Sequence, residues 1–289
     1  MKILVTGARG QLGNEMRDVL ERLNPGITTY IDMDDLDLAD FDAVEKFLTE
    51  GDFSHVVNCA AYTAVERAEI EKSVCHRANV DAVSNLGRMS DRLGFKILHV
   101  STDYVFDGNS SKPYTESDKV NPVSEYGISK RHGETALLGL APDSIIVRTG
   151  WLYSSYGNNF VKTMLRLGRE RKNINVVFDQ IGTPTYGADL AEAIASMLFN
   201  RQWTPGIYNF ANEGACSWYD FATVIFKMSN ITDCHVSAIT SKDYPSAVTR
   251  PHYSVLDKSK IKAVYGIEIP HWEEALARCL DRISEDSDI

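Results

Sequence analysis

The first twenty-three residues already confine this chain to a narrow set of folds. Lys2–Thr6 is a short apolar run, and Gly7, Gly10 and Gly13 follow it at three-residue spacing. Leu12, Met16, Val19, Leu20 and Leu23 then recur at three and four, one face of a helix. A buried strand, a glycine turn and a helix form the opening unit of a dinucleotide-binding sheet. In such a unit Gly7 permits the tight turn, Gly10 lets a pyrophosphate approach the backbone, and Gly13 lets helix pack on strand. The helix N-terminus adds unpaired N–H groups and the positive end of its dipole. The Gx₂Gx₂G spacing departs from the commoner GxGxxG, so position, directly after the first strand, carries the reading.

The pattern repeats. Short apolar runs at Thr28–Asp32, His55–Asn58, Lys96–Ser101 and Ser144–Arg148 predict four more strands, separated by helix-length segments. The third of these segments reads as one long helix from about Glu66 to Leu93. Strands alternating with helices predict an α/β fold, a Rossmann-type doubly wound parallel sheet with right-handed crossovers. The second half is less regular. Val176–Phe178 and Ile207–Phe210 predict strands; Asp189–Phe199, Ser217–Met228 and Trp272–Ile283 predict helices, the last after Pro270. The stretch Ser237–Leu256, with Pro245 and Pro251, reads as loop with short strands, and Ser284–Ile289 as a frayed tail. The expected organisation is a dinucleotide-binding domain over 1–150, which also receives a strand near 174–178, and a smaller C-terminal lobe over 151–289, with a cleft between.

Charge narrows the ligand. With 30 basic and 40 acidic side chains the net charge is −10, dispersed along the chain. That disfavours nucleic acid and anionic membrane, so a polyphosphate must be held by local donors. No apolar run approaches the roughly 18 residues of a membrane helix, and the N-terminus does not read as a signal peptide. Cys59, Cys75, Cys216, Cys234 and Cys279 show no metal-ligand spacing and read as small buried residues of a reduced cytoplasm.

Asp32 ends the second strand 19 residues after Gly13. An acid there receives a ribose 2′-hydroxyl and favours NAD, whereas Arg9 in the glycine loop could meet a 2′-phosphate and favour NADP. The two point opposite ways, so use of both coenzymes is expected; as a plain strand end in the acidic run Asp32–Asp40, Asp32 would do neither. Tyr126 and Lys130 form a Tyr-x-x-x-Lys pair, which a helix places on one face. With 13 tyrosines and 14 lysines about 0.6 such pairs arise by chance, so placement must decide. The pair opens the helix after the fourth strand, and Thr102 and Asp103 lie at that strand's C-terminal end, where parallel sheets bind ligands. The chemistry suits hydride reduction of a ketone. The developing alkoxide needs a proton, a lysine ammonium lowers the pKa of a tyrosine, and a threonine hydroxyl can donate to the same oxygen. His99, between Leu98 and Val100, reads as a core histidine. Trp151 follows the fifth strand and reads as core or as a cleft residue.

Together with the glycine loop and the Tyr/Lys pair, five segments carry a resemblance: Asn58–Thr63, Ser101–Gly108, Arg148–Tyr153, Asn158–Met164 and Asp179–Thr185, with Arg250-Pro251 beyond them. The chain resembles the extended short-chain dehydrogenases/reductases, and among them the dTDP-4-dehydrorhamnose reductase family, over essentially its whole length. The resemblance implies that Gly10, Gln11 and Leu12 cradle the pyrophosphate, Asp32 faces the adenosine ribose, and Asp37 and Leu38 the adenine. Ala61, Tyr62, Thr63 and Val100 would line the cofactor, Thr102 and Asp103 would meet the sugar, and Trp151 would pack on it. Tyr126 and Lys130 would serve both cofactor and catalysis. Where that family carries Mg2+, acids at a subunit contact hold it. Glu15 matches such a position; Asp189 and Glu273 match less closely, and each also reads as a solvated helix acid. The sequence departs from the pattern at Gly150, where serine is expected, and at Cys59, where alanine is expected.

The implied activity is reduction, with NADPH or NADH, of a dTDP-4-keto-6-deoxy sugar in the cytoplasm, by a chain that could form a homodimer. Two other readings stay open: a sugar-nucleotide epimerase or dehydratase of the same superfamily, and a noncatalytic regulatory subunit of this fold.

Overall fold

A computed structural model describes residues 1–246 and 248–287. The chain runs β1 (Ile3–Thr6), α1 (Gln11–Leu23), β2 (Thr28–Ile31), α2 (Phe41–Gly51) and β3 (His55–Asn58). Then come α3 (Val65–Ala68), α4 (Lys72–His76), α5 (Ala82–Leu93), β4 (Lys96–Thr102), α6 (Glu125–Leu140) and β5 (Ile145–Thr149). Four-residue runs such as β1 are buried on both faces, which is what a sheet with helices on each side demands.

The predicted long helix between β3 and β4 is broken. α3 and α4 are separated by residues 69–71, and Arg77–Asp81 forms a π-helical turn before α5. Within that turn the buried Asn79 side chain pairs with the backbone of Tyr62, accepting its N–H at 2.9 Å and donating to its carbonyl at 3.1 Å. Widened turns of this kind recur at functional sites.

The second half adds β6 (Leu152–Tyr153), α7 (Phe160–Glu170), β7 (Asn173–Val177), β8 (Ile181–Gly182), β9 (Thr185–Tyr186) and α8 (Gly187–Leu198). After these follow β10 (Gly206–Asn209), β11 (Cys216–Ser217), α9 (Trp218–Met228), β12 (His235–Ile239), α10 (Ser259–Tyr265) and α11 (Trp272–Ser287). α11 carries helix through Ser287, past the residues expected to fray; Asp288 and Ile289 lie outside the described residues. No helix among the described residues is long and apolar enough to cross a membrane.

The main sheet has the order β10-β5-β4-β3-β1-β2, parallel throughout. Its sixth strand corrects the expectation. β7 does not join; it pairs with β12 in a separate ladder, and β10 takes the place beside β5. Asn173 and Asn175 alternate outward from β7, and a strand with one wet face does not suit a sheet covered on both sides. Leu12, Met16 and Leu20 of α1 and the apolar residues of α8 cover one face. Val44 of α2, Leu86 of α5 and Leu137 of α6 cover the other. A second apolar cluster gathers Val161 of α7, Phe221 and Phe226 of α9, and Trp272 and Leu276 of α11. The chain leaves β1 for β2 and returns to β3 on the opposite side, which opens a crevice at the C-terminal strand ends.

Candidate active site

A cavity of about 960 Å³ lies in that crevice, and nearly every residue singled out from the sequence lies on its wall. Gly7, Gly10, Gln11, Leu12 and Gly13 form one end. A Cβ on Gly13 would fall 2.2 Å from the Gly7 carbonyl oxygen, so helix and turn can meet only at glycine; a Cβ on Gly10 would crowd the same oxygen at 3.2 Å. Asp32, Asp37 and Leu38 follow along the wall. Asp32 accepts the Arg9 N–H at 2.8 Å and the Met33 N–H at 2.8 Å. The Arg9 guanidinium turns outward to Asp34 at 2.6 Å, with Asp35 further off at 3.4 Å. Asp37 is paired with Arg77. Ala61, Tyr62 and Thr63 lie opposite, on the segment that Asn79 holds.

The middle of the wall carries Val100, Thr102, Asp103, Tyr126 and Lys130. β4 delivers Thr102, whose hydroxyl accepts the Tyr104 N–H at 3.2 Å and donates to Asp103 at 3.1 Å. Ser124 caps α6 through the Gly127 N–H, which places Tyr126 and Lys130 in its first two turns. α6 is fastened to β5 one turn later by Glu134 and Arg148. Their two parallel bonds measure 2.8 and 2.7 Å, and both side chains are almost fully buried.

Burial dominates the electrostatics. It pushes the Tyr126 phenol above its ordinary value, with the Thr102 hydroxyl bonding in opposition and Asp103 adding to the rise. Burial also brings Lys130 down to about 8 and raises Asp103 to about 6. The sequence pointed to a phenol lowered by its lysine. The folded protein shows the opposite direction, because the phenol is enclosed and desolvation disfavours its charged form.

Gly150, the departure from the expected serine, lies against the Asp103 carboxyl: a Cβ there would fall 2.4 Å from Oδ2. Trp151 follows with φ at +50°, a left-handed conformation that costs a non-glycine residue about 1–3 kcal/mol and gathers at functional sites. Its indole abuts Gly182 and stacks on Trp218, with ring centroids 3.5 Å apart and planes 6° from parallel. Trp218 also lines the cavity. It was not singled out from the sequence, because it shares the α9 stripe with Phe221 and Ile225 and so reads as core. Asn158 and Asn159 close the wall; Asn159 caps α7 and donates to Gln11 at 3.0 Å.

Glu15 lies away from this wall, and its expected metal does not fit. Both carboxylate oxygens are taken, one by the Ser154 hydroxyl at 2.5 Å and one by Arg282 at 2.8 Å. Asp189 is likewise held by Arg278 through two bonds of 2.8 Å. Each acid is buried beside an arginine that already supplies the positive charge, so neither is a solvated helix acid. Glu273 is exposed. Among the described residues no group of three or more His, Cys, Asp or Glu could hold a metal ion.

A family model described as the RmlD substrate binding domain matches residues 1–285. This chain belongs to the RmlD substrate binding domain family. Among its relatives, a dTDP-4-dehydrorhamnose reductase of Aggregatibacter actinomycetemcomitans is 42% identical, over 95% of this chain and 97% of the relative. The crystal structure of a dTDP-4-dehydrorhamnose reductase of Clostridium acetobutylicum is 40% identical, covers 98% of this chain and 100% of its own, and superposes with a TM-score of 0.94. That of the Bacillus anthracis enzyme in complex with NADP is 37% identical, with the same coverage and a TM-score of 0.93. In this RmlD-family chain, then, the glycine turn, the Tyr/Lys helix and the tryptophan pair surround one cavity.

Proposed function

We propose that the chain is an NAD(P)H-dependent oxidoreductase that reduces the C4 ketone of dTDP-4-dehydro-L-rhamnose to dTDP-L-rhamnose in the cytoplasm. The observation that carries the reading is the gathering of Thr102, Tyr126 and Lys130 on one wall, between the glycine turn and the paired indoles. Relatives named as this reductase, and the NADP complex of one of them, support the substrate and the coenzyme. Five free cysteines suit a reducing compartment.

A dinucleotide suits this cavity: the glycine turn and Asp32 line one end of it, and in this reading they take the pyrophosphate and the adenosine ribose. When bound, the dihydronicotinamide supplies the hydride. The chain's own residues handle the proton. Burial keeps Tyr126 protonated at neutral pH, so it acts as donor to the C4 oxygen, and Thr102 shares that oxygen through its hydroxyl. Residues 151–289 supply the sugar side, where Trp151 covers the apolar face of the deoxy sugar and keeps water from the reacting carbon. Both coenzymes are accepted within about tenfold of each other, since Asp32 and Arg9 favour opposite ones.

Purified protein is given dTDP-4-keto-L-rhamnose with NADPH or NADH, coenzyme loss is followed by absorbance and the product's C4 configuration by NMR. Consumption of coenzyme with formation of dTDP-L-rhamnose is expected. No consumption with either coenzyme overturns the reading.

A further inference from the structure

Beneath the catalytic helix three polar side chains cross the sheet in one row. Thr6, Asn58 and His99 are lateral partners on β1, β3 and β4, so they share one face. All are buried, at 1%, 1% and 0% exposure. Polar groups so deep persist only when bonded, and here the bonds fix the direction of every hydrogen.

The Ala60 N–H donates to Asn58 Oδ1 at 3.1 Å, and the Thr6 hydroxyl donates to the same oxygen at 2.7 Å. A backbone amide can only donate, so Oδ1 is identified as the acceptor end. The Asn58 NH₂ is therefore the group that faces His99 Nδ1, at 3.0 Å. A donor aimed at Nδ1 requires that nitrogen to be bare. Burial, with the Lys130 charge acting the same way, keeps the ring neutral, and a neutral ring with a bare Nδ1 carries its hydrogen on Nε2. Nε2 lies 3.3 Å from Lys130 Nζ. An ammonium has only hydrogens to offer to that N–H, whereas an amine has a lone pair. Either form can still donate to the Val100 carbonyl oxygen at 2.7 Å.

We infer that His99, with its tautomer locked by Asn58, is a positioning residue that favours the amine form of Lys130 and so makes its ammonium a ready proton source for Tyr126. The inference rests on the reductase reading for its second half. After Tyr126 has given its proton to the substrate oxygen, the Lys130 ammonium returns one: an N–H bond breaks, the phenol O–H re-forms, and the neutral amine that remains accepts the His99 N–H. The other titratable groups around Lys130 do not supply this bias. Glu134 favours the ammonium but is committed to Arg148. Cys59 and Cys75, whose thiols burial pushes up, stay neutral, as does Tyr126. Asp103 accepts from Thr102 and acts on the phenol; as an acid it would favour the ammonium, not the amine.

The test begins with the cofactor-free protein, so it does not depend on the substrate. ¹⁵N NMR of His99 should show the hydrogen on Nε2 throughout the neutral range; a hydrogen on Nδ1 overturns the inference. Asn58→Asp presents a carboxylate oxygen to Nδ1, draws the hydrogen there and leaves Nε2 bare to accept from an ammonium. The ¹³Cε titration of Lys130 should then move up by roughly one unit. The control is His99→Phe with Asn58→Asp: without the imidazole the aspartate should move Lys130 by less than half as much. Equal shifts in the two variants mean that charge alone acts, and overturn the inference. In the active enzyme, the limb of the pH–rate profile that follows Lys130 should move with its titration. A Lys130 titration that behaves as expected in a protein that consumes no coenzyme would leave the His99 effect standing and remove the reductase reading.

Discussion

The main sheet and the second apolar cluster are built by different rules. Each ladder of the sheet pairs four or five residues on parallel strands, and its side chains are aliphatic: Ile3, Val5, Val57, Leu98, Val147. Around the second cluster one parallel ladder, β7/β12, still pairs five residues, but β6/β9 and β8/β11, which lie at the cavity side, pair two residues each. There the joints are rings, with Phe160 on Phe221 at 5.5 Å and Phe221 against Trp272 at 5.7 Å. A long ladder fixes backbone ends, and those ends present turns, amides and short polar groups. Packed rings leave faces, and the Trp151–Trp218 stack is such a face turned to the cavity. The glycine turn and the Thr102, Tyr126 and Lys130 side chains stand on the wall made by the first rule, and the paired indoles on the wall made by the second.

Removing the proposed proton donor should break the contrast most severely. Tyr126→Phe should lower kcat by about 10²–10⁴-fold while thermal melting and NADPH titration stay close to wild type; normal turnover would sink the assignment. Next comes the fastening of the catalytic helix. Arg148→Met removes two of the bonds to buried Glu134 and leaves it only the part-exposed Arg131, which should cost up to about 3–5 kcal/mol in urea unfolding; a loss below 1 kcal/mol would show that α6 is held by its apolar face and Arg131. Third is Asp103, raised to about 6 in the folded protein from an ordinary 3.8. The folded state then binds the proton more tightly than the unfolded one, so this group's contribution to stability falls as pH rises from about 4 to about 6. Asp103→Asn should lack that decline, and the difference between the two unfolding curves across the window should reach roughly 3 kcal/mol.

Trp151→Ala sharpens the comparison from the ring side. It should remove about 1–3 kcal/mol of transition-state stabilisation from kcat/KM for the keto sugar and leave NADPH affinity nearly unchanged. A parallel loss of cofactor binding would make the indole a structural prop of both walls. The smallest effect is expected at Asp32. Asp32→Ala should shift preference toward NADPH by up to about tenfold, read as the ratio of kcat/KM values; no shift would mean that the bonds to the Arg9 and Met33 amides are its whole role.

The same contrast explains what could be read in advance. Lys2–Thr6 and its four successors announce themselves because a doubly covered strand is apolar throughout, and the Tyr126/Lys130 pair is placed by the strand before it. Asn173–Val177 and Gly206–Asn209 look alike in isolation, and only the partner each finds decides which one enters the sheet. The third crossover is interrupted at residues 69–71 and widened at Arg77–Asp81, where the Asn79 amide bonds Tyr62, and nothing in helix periodicity reports a side chain that bonds elsewhere. Trp218 has the spacing of a core residue because it is one on its inner edge. Glu15 matched a family position, but its arginine lies 267 residues away, beyond the reach of any local pattern.

That last distance has a consequence for biogenesis. α1 opens at the glycine turn, and the carboxyl on its buried side waits for an arginine synthesised 267 residues later. Until Arg282 has left the ribosome, Glu15 lacks its arginine and must stay wet or take up a proton. A nascent chain that has finished its sheet is thus still waiting to lock α1.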